Sequence, residues 1–281
     1  VHPGEERVGK LLTADQQARY REDGIVFPVG VLSPREAEEY RLACESLETQ
    51  LGGRPRTIEV RQMHLHFPWA HRLATHPRVL DAVEDLLGPN LLVWASELFV
   101  KHPREASVSI GWHRDRPYMG LDPEHTVTAW IALTACHREN GCMRFVREED
   151  RRSSPQWNGQ SRPAADGRAN REPQVPSEKM EAVNLAAGQM SLHDVYVLHG
   201  SGANESDEKR VGFALRFTTP ECQPAAERPP AILARGRDRW GNFELHEPSC
   251  GEDQSIALEG MRRSARQHLE ATLRNLQQPA R

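Results

Sequence analysis

The chain has 281 residues, a formal net charge of −4 and 38% hydrophobic residues, enough for one large core in a single domain. The mild acidic balance argues against a general nucleic-acid binder, whose basic face would neutralise phosphates. Five cysteines (Cys44, Cys136, Cys142, Cys222, Cys250) form no C-x-x-C pair, and no apolar run approaches the roughly 20 residues of a membrane span, which together predict a cytoplasmic protein without zinc knuckle, disulfide framework or membrane contact.

In chain order, Thr13 is a cap signal for a short amphipathic helix that stops at Gly24. A brief apolar strand around Val26 follows, then a helix started by Ser33-Pro34 and ended at Gly52-Gly53. "RQMHLHFPW" alternates His64 and His66, a candidate polar strand face for which a structural role is expected. Residues 77 to 88 form a third helix, with Val79, Leu80, Val83, Leu86 and Leu87 on one stripe.

From Leu91 the period changes. "LLVWASELFVKH", "HTVTAWIALTAC", "CMRFV", "GQMSLHDVYVLHGS" and "RVGFALRFTTP" follow one another as short strands, the pattern of an antiparallel barrel or sandwich with helices outside. Residues 147 to 178 are charged, rich in Pro, Gly and Ser, and poor in aliphatics, so they are a candidate lid or a plain solvated insertion. The C-terminal "SIALEGMRRSARQHLEATLRNLQQPAR" is helical by period, with Ile256, Leu258, Met261, Leu269 and Leu273 as expected buried positions.

The chemistry begins at "GWHRDRPYMG". In a strand, His113 and Asp115 would share a face and present an imidazole and a carboxylate to one ion. An H-x-D triplet alone arises on the order of once by chance in a chain this rich in histidine. A second segment, "LHGSGANESDEKR", supplies His199 at a strand end and Arg210 at the start of the next strand. Two histidines and one carboxylate are the facial triad of non-haem iron(II) oxygenases, and a planar guanidinium can clamp a carboxylate in a bidentate fork. In "RVGFALRF", Arg210, Gly212, Ala214 and Arg216 share one face, too small-sided for a core, whereas Val211, Phe213, Leu215 and Phe217 share the other.

The H-x-D pair, the H-x-S-x-x-N stretch from His199 and the arginine eleven residues after that histidine resemble the phytanoyl-CoA dioxygenase family of Fe(II)/2-oxoglutarate oxygenases. "YREDGIVF", "VTAWIAL", "ENGCMRF" and "RVGFALRF" extend the resemblance over most of the chain. The resemblance implies a mainly β fold with flanking helices around a double-stranded β-helix, or jelly-roll, core, as a single dioxygenase domain over residues 1–281. It implies that His113, Asp115 and His199 bind Fe(II), that Arg210 receives the distal carboxylate of 2-oxoglutarate with Ser201 as partner and Trp130 packed beside it, and that Arg216 lines the same pocket. It also implies O2 as co-substrate, succinate as co-product and a small-molecule prime substrate, with a natural-product tailoring step as the expected setting. Related halogenases have a small residue where Asp115 stands, so hydroxylation is expected over chlorination.

Desaturation, cyclisation and epimerisation share the same oxidative start. A non-catalytic jelly-roll module that binds metal or ligand, and a zinc hydrolase using the same three residues, are alternatives that leave Arg210 without a role. His193 is set aside as a ligand because it lacks the S-x-x-N continuation, and Arg114, Arg116 and Tyr118 are candidate substrate contacts.

Overall fold

Helix α1 (Ala14–Asp23) begins where the Thr13 hydroxyl accepts the Gln16 N–H at 3.2 Å while the Gln16 side chain accepts the Thr13 N–H at 3.0 Å. It ends at Gly24, whose φ of +76° is left-handed. Helix α2 (Pro34–Gln50) is boxed in the same way by Ser33 and Glu36, and β1 (Ile25–Gly30) runs between the two helices. Helices α3 (Pro68–Ala74) and α4 (Pro77–Leu87) each start on a proline, where the missing N–H leaves no hydrogen bond unmade.

These features come from a computed structural model that describes residues 9–55, 59–105, 108–121, 125–148, 151–152, 177–225, 228–247 and 254–277. Most of the expected lid, residues 153–176, lies outside the described residues. Beyond the helices the chain forms β2 (Leu91–Lys101), β3 (Ile110–His113), the short α5 (Arg116–Met119), β4 (Thr126–Ala132), β5 (Met143–Val146), β6 (Met180–Ala182), β7 (Gln189–His193), β8 (His199–Ser201), β9 (Arg210–Thr218), β10 (Pro230–Arg235), β11 (Glu244–Leu245) and the long α6 (Gln254–Gln277).

The strands make a seven-stranded sheet in the order β1-β7-β4-β9-β2-β10-β11 and a four-stranded sheet in the order β3-β8-β5-β6. All pairs are antiparallel except β10 with β11, and the two sheets form a jelly-roll. The main core lies on the helix-covered face of the large sheet. There Val211, Phe213, Leu215 and Phe217 of β9 join Val127, Ala129 and Ile131 of β4 and Val79 and Val83 of α4. Alternation then turns the opposite face of β9 and β4 into the interior of the roll.

Two expectations change. His64 and His66 lie in and just after a single 3-10 turn (Met63–Leu65), not on a strand. The His64 Nδ1 meets the Ser96 hydroxyl at 2.9 Å and the His66 Nε2 meets the Ser264 hydroxyl of α6 at 2.9 Å, so the pair braces the packing of this turn. Along α6, Ile256 is 68% exposed and Leu273 49% exposed, while Ala257, Met261 and Ala265 are buried. The helix seats through its small residues: a Cβ on Gly260 would stand 2.6 Å from the His66 ring. That close approach fixes the helix phase and turns the larger aliphatics outward.

Candidate active site

β3 pairs with β8 so that His113 lies opposite His199, which sets their ring centroids 4.3 Å apart. Asp115 is not on the strand. It stands at the start of α5 with helical dihedrals, and it returns its carboxylate toward the histidines. Ligand atoms of His113, Asp115 and His199 all lie within 4.8 Å of one another.

Each imidazole is fixed by its other nitrogen. The His113 Nδ1 donates to the Gly111 carbonyl at 2.8 Å and the His199 Nδ1 to the Val197 carbonyl at 2.9 Å, which places the proton on Nδ1 and leaves Nε2 with a free lone pair. Burial pushes His199 down to about 3, a value to which the neighbouring His113 adds. Burial also opposes charging of His113, but the hydrogen bond and charge of Asp115 outweigh it and raise that group. Burial works against the Asp115 anion too, yet His113, His193 and the Arg216 charge hold the carboxyl well below its usual range. Two imidazole nitrogens and one carboxylate oxygen within reach of one point suit a divalent transition metal, which would take the place of any proton shared between His113 and Asp115.

His193, at the end of β7, belongs to this cluster although the sequence reading set it aside. It is 2% exposed, its Nε2 is 3.7 Å from the Asp115 Oδ2, and its ring centroid is 4.9 Å from that of His199. The Thr128 hydroxyl faces the same oxygen at 3.4 Å. Oδ2 of Asp115 is therefore oriented by β7 and β4, while Oδ1 faces His113 at 3.6 Å. Of the other neighbours, Tyr118 lines the cavity, but Arg114 turns away to the Tyr196 carbonyl and to Glu148 at 2.7 Å, and Arg116 lies 5.7 Å from the Tyr196 ring.

A cavity of about 600 Å³ opens beside the three groups and is lined from both sheets. At one end is Arg210, 2% exposed, with its guanidinium 5.1 Å from the Trp130 ring centre and its Nη1 donating to the Gly141 carbonyl at 2.5 Å. Its Nε has no hydrogen-bond partner, and among the described residues no carboxylate pairs with it. Lys101, opposite Arg210 in the β2–β9 register, is 1% exposed and donates to the Ser201 hydroxyl at 2.7 Å and to the Gly141 and Gly202 carbonyls. Burial, with Arg210 next to it, pushes Lys101 down to about 7. Asn204 joins the turn after β8 to β2 through the Lys101 carbonyl at 3.2 Å, which explains the asparagine of H-x-S-x-x-N.

The sequence reading missed Lys101. The signal was present in the parity of Glu97, Phe99 and Lys101, which puts two charged residues on one face of a strand that is otherwise apolar but for Ser96. Arg216 also lines the cavity, but six residues along β9 from Arg210, and its Nη1 donates to Glu97 at 3.1 Å.

A jelly-roll with two fixed imidazoles, a carboxylate and a buried cation around one cavity defines the class of Fe(II)/2-oxoglutarate-dependent oxygenases. The sequence comparisons agree. Residues 20–212 match the phytanoyl-CoA dioxygenase family model, and the chain belongs to that family. It is 28% identical over 272 residues to the ectoine dioxygenase of Halomonas elongata, covering 85% of this chain and 80% of the relative. Among solved structures, the non-haem monooxygenase ThoJ is similar with a TM-score of 0.76 and 30% identity over 94% of this chain and 99% of that one. The epimerase SnoN, in complex with Fe3+ and alpha-ketoglutarate, is similar with a TM-score of 0.63 and 26% identity over 85% and 95% of the two chains. The family's cofactor set is Fe(II), 2-oxoglutarate and O2. No helix among the described residues is long and apolar enough to cross a membrane.

The Trp130 ring lies where a Cβ on Gly212 would stand, 1.9 Å from its Cζ2. Gly212→Ala is expected to displace the ring from Arg210, with a loss of about 1–3 kcal/mol in stability from overpacking. Urea unfolding followed by tryptophan emission measures both effects, and a native emission spectrum with unchanged midpoint would show that the ring has room to spare.

Proposed function

We propose that this oxygenase hydroxylates a small-molecule metabolite, with Fe(II) held by His113, Asp115 and His199 and 2-oxoglutarate received at Arg210. The observation that carries the reading is the pair of anchored Nδ1 atoms: each turns its imidazole so that a ligand atom of His113, of His199 and of Asp115 all lie within 4.8 Å of one another. Bound there, the metal supplies the oxidising chemistry that the family drives with 2-oxoglutarate and O2.

The chain's own residues hold the co-substrate and shut out water. Arg210 is a buried cation without a counter-ion among the described residues, and such a charge is costly until an anion reaches it. The distal carboxylate of 2-oxoglutarate completes it. Ser201 accepts from Lys101 on one side, so its own O–H is left to donate toward the cavity, which it lines. Lys101 does not line the cavity and acts through that hydroxyl. Trp130 covers the guanidinium with its π face, an arrangement that strengthens where water is excluded. At the metal, His193 and Thr128 orient Asp115 as positioning residues. Arg216, engaged with Glu97, is assigned to the prime-substrate end of the cavity and not to 2-oxoglutarate.

Asp115 favours oxygen insertion over halogenation because its carboxylate fills the position that a halide would need. The setting in natural-product tailoring draws support from SnoN, an enzyme of nogalamycin biosynthesis. The same likeness favours, as a second reading, hydrogen removal without oxygen insertion, as in an epimerase. A zinc hydrolase or a non-catalytic binding module leaves the buried Arg210 unexplained.

Replacing His113 or His199 by Ala should leave a folded protein that no longer releases succinate from 2-oxoglutarate. Turnover at the wild-type rate in either variant is incompatible with the assignment. Arg210→Lys keeps the charge and loses the fork, so the apparent KM for 2-oxoglutarate should rise by roughly tenfold or more with a smaller change in kcat. Superimposable saturation curves would place the clamp elsewhere. Turnover under labelled O2 in the presence of chloride should give a product heavier by one labelled oxygen atom. A chlorinated product contradicts the role of Asp115, and an unlabelled product moves the outcome to the second reading.

A further inference from the structure

The end of the cavity away from Arg210 holds a charge cluster that neither the metal nor 2-oxoglutarate uses. Glu97 of β2 is 4% exposed and lies between two guanidiniums. Arg61 meets its Oε1 through Nε at 2.7 Å and through Nη2 at 2.6 Å, and Arg216 meets its Oε2 through Nη1 at 3.1 Å. All three line the cavity, along with Trp94 and with His268 and Thr272 of α6. Trp94 faces inward because of a bulge: Val93 pairs with Phe217 and Ala95 with Arg216, so Trp94 has no partner across the ladder and is re-aimed to the side of Glu97.

Two cations against one anion leave a net positive charge at this end. A guanidinium also carries more N–H donors than one shared carboxylate can accept. The only other acid lining the cavity, among the described residues, is Asp115. A divalent metal, Asp115 and dianionic 2-oxoglutarate sum to one negative charge, which Arg210 cancels. Asp115 faces Arg216 as well as the metal, but its single charge is already counted in that balance, so the Arg61–Glu97–Arg216 cluster keeps one positive charge. His268 adds no charge near neutral pH, because burial and the nearby Arg61 push it down to about 4.

The roof over the cluster is polar as well. The inward face of α6 changes from Ala257, Met261 and Ala265 to His268 and Thr272 where it reaches the cavity. The Gln62 amide stands between the Trp94 carbonyl at 3.2 Å and the His268 ring nitrogen at 3.4 Å. A helix that served only the core would continue its apolar stripe here.

We infer that Arg61, Glu97 and Arg216 form a subsite for a carboxylate of the prime substrate, roofed by His268 of α6, so that the substrate is an organic acid entering with its anionic end away from Arg210. This rests on the oxygenase reading above. In it Glu97 holds both forks in place and leaves them one net positive charge, which a single substrate carboxylate balances and a neutral substrate would leave unmatched.

The test uses the Fe(II)-loaded protein without oxygen and with saturating 2-oxoglutarate, so that Arg210 is occupied. Calorimetry then compares benzoate, 3-phenylpropanoate and indole-3-acetate with their primary amides, which match them in shape and lack the charge. At least one acid is expected to bind about tenfold or more tightly than its amide, the scale of a charge-assisted hydrogen bond. Arg61→Gln should abolish that preference and Glu97→Gln should keep or increase it. These opposite signs separate a charge effect from structural damage, which would lower both. Equal affinity of acids and amides, no binding by any acid, or loss of the preference in Glu97→Gln overturns the subsite. Metal-dependent binding of 2-oxoglutarate is read on the same wild-type samples: its absence overturns the oxygenase reading and the subsite together, whereas its presence without an acid preference removes the subsite alone.

Discussion

β9 lies between β4 and β2 and presents Val211, Phe213, Leu215 and Phe217 to the core and Arg210, Gly212, Ala214 and Arg216 to the cavity. With a period of two, a slip of one residue would drive two guanidiniums into the core and two phenyl rings into the cavity. A buried guanidinium without partners costs several kcal/mol, so the slipped register is strongly disfavoured. The pairing of β9 then fixes its neighbours. Lys101 is brought opposite Arg210, Ala214 opposite Trp130, and Arg216 opposite both Thr128 and Ala95. The small side chains matter as much as the charged ones, because Gly212 and Ala214 leave the volume that the indole and the cavity occupy.

The cavity is electrostatically poor ground for folding. Arg210 and Lys101 are both buried, side by side, against carbonyls, a hydroxyl, an aromatic face and the thiols of Cys136 and Cys142. Their desolvation has to be offset elsewhere, and the helix-backed core on the other face of the same sheet is the offset: nearly every inward residue of β9, β4 and α4 there is fully buried. The proposed binding of an anion at Arg210 would therefore return stability that the unliganded fold lacks, a common relation between a preorganised site and the protein around it.

Much of this was legible in the sequence because strand alternation and motif spacing are local. The strands over 91–101, 126–132 and 210–218 follow from period and turns, and the three proposed metal ligands and Arg210 follow from the family's motifs. What escaped is what pairing creates. Lys101 reads as the polar end of a strand until the β2–β9 register sets it against Arg210. His193 was judged on the same strand as His199, whereas the chain leaves β7 and returns as β8, so the two histidines approach from different sheets. Along α6 the expected Met261 is buried and Leu258 packs on the core, whereas Ile256 and Leu273 are exposed, because the contact is set partly by the absence of a side chain at Gly260.

The two ends of the cavity differ in how they meet their charges, and that difference gives the site a direction. At the Arg210 end the cations have no acid among the described residues, so the proposed dianion would be held by direct pairing between β-strands and the Trp130 ring. At the Arg216 end a resident acid already ties two arginines together, and the wall is completed by a helix, not by the sheet. The sheet floor, held by backbone ladders, is where the proposed co-substrate site lies. The helix is joined to the roll through side-chain contacts such as His66 with Ser264 and the Tyr118 carbonyl with Asn275, so its residues can vary without disturbing a ladder of backbone hydrogen bonds. The proposed metal ligands lie between these ends, with Asp115 held on one oxygen by His113 and on the other by His193 and Thr128. On the proposed reading, a change of substrate contacts on α6 would leave the strand pairing that positions the metal ligands untouched.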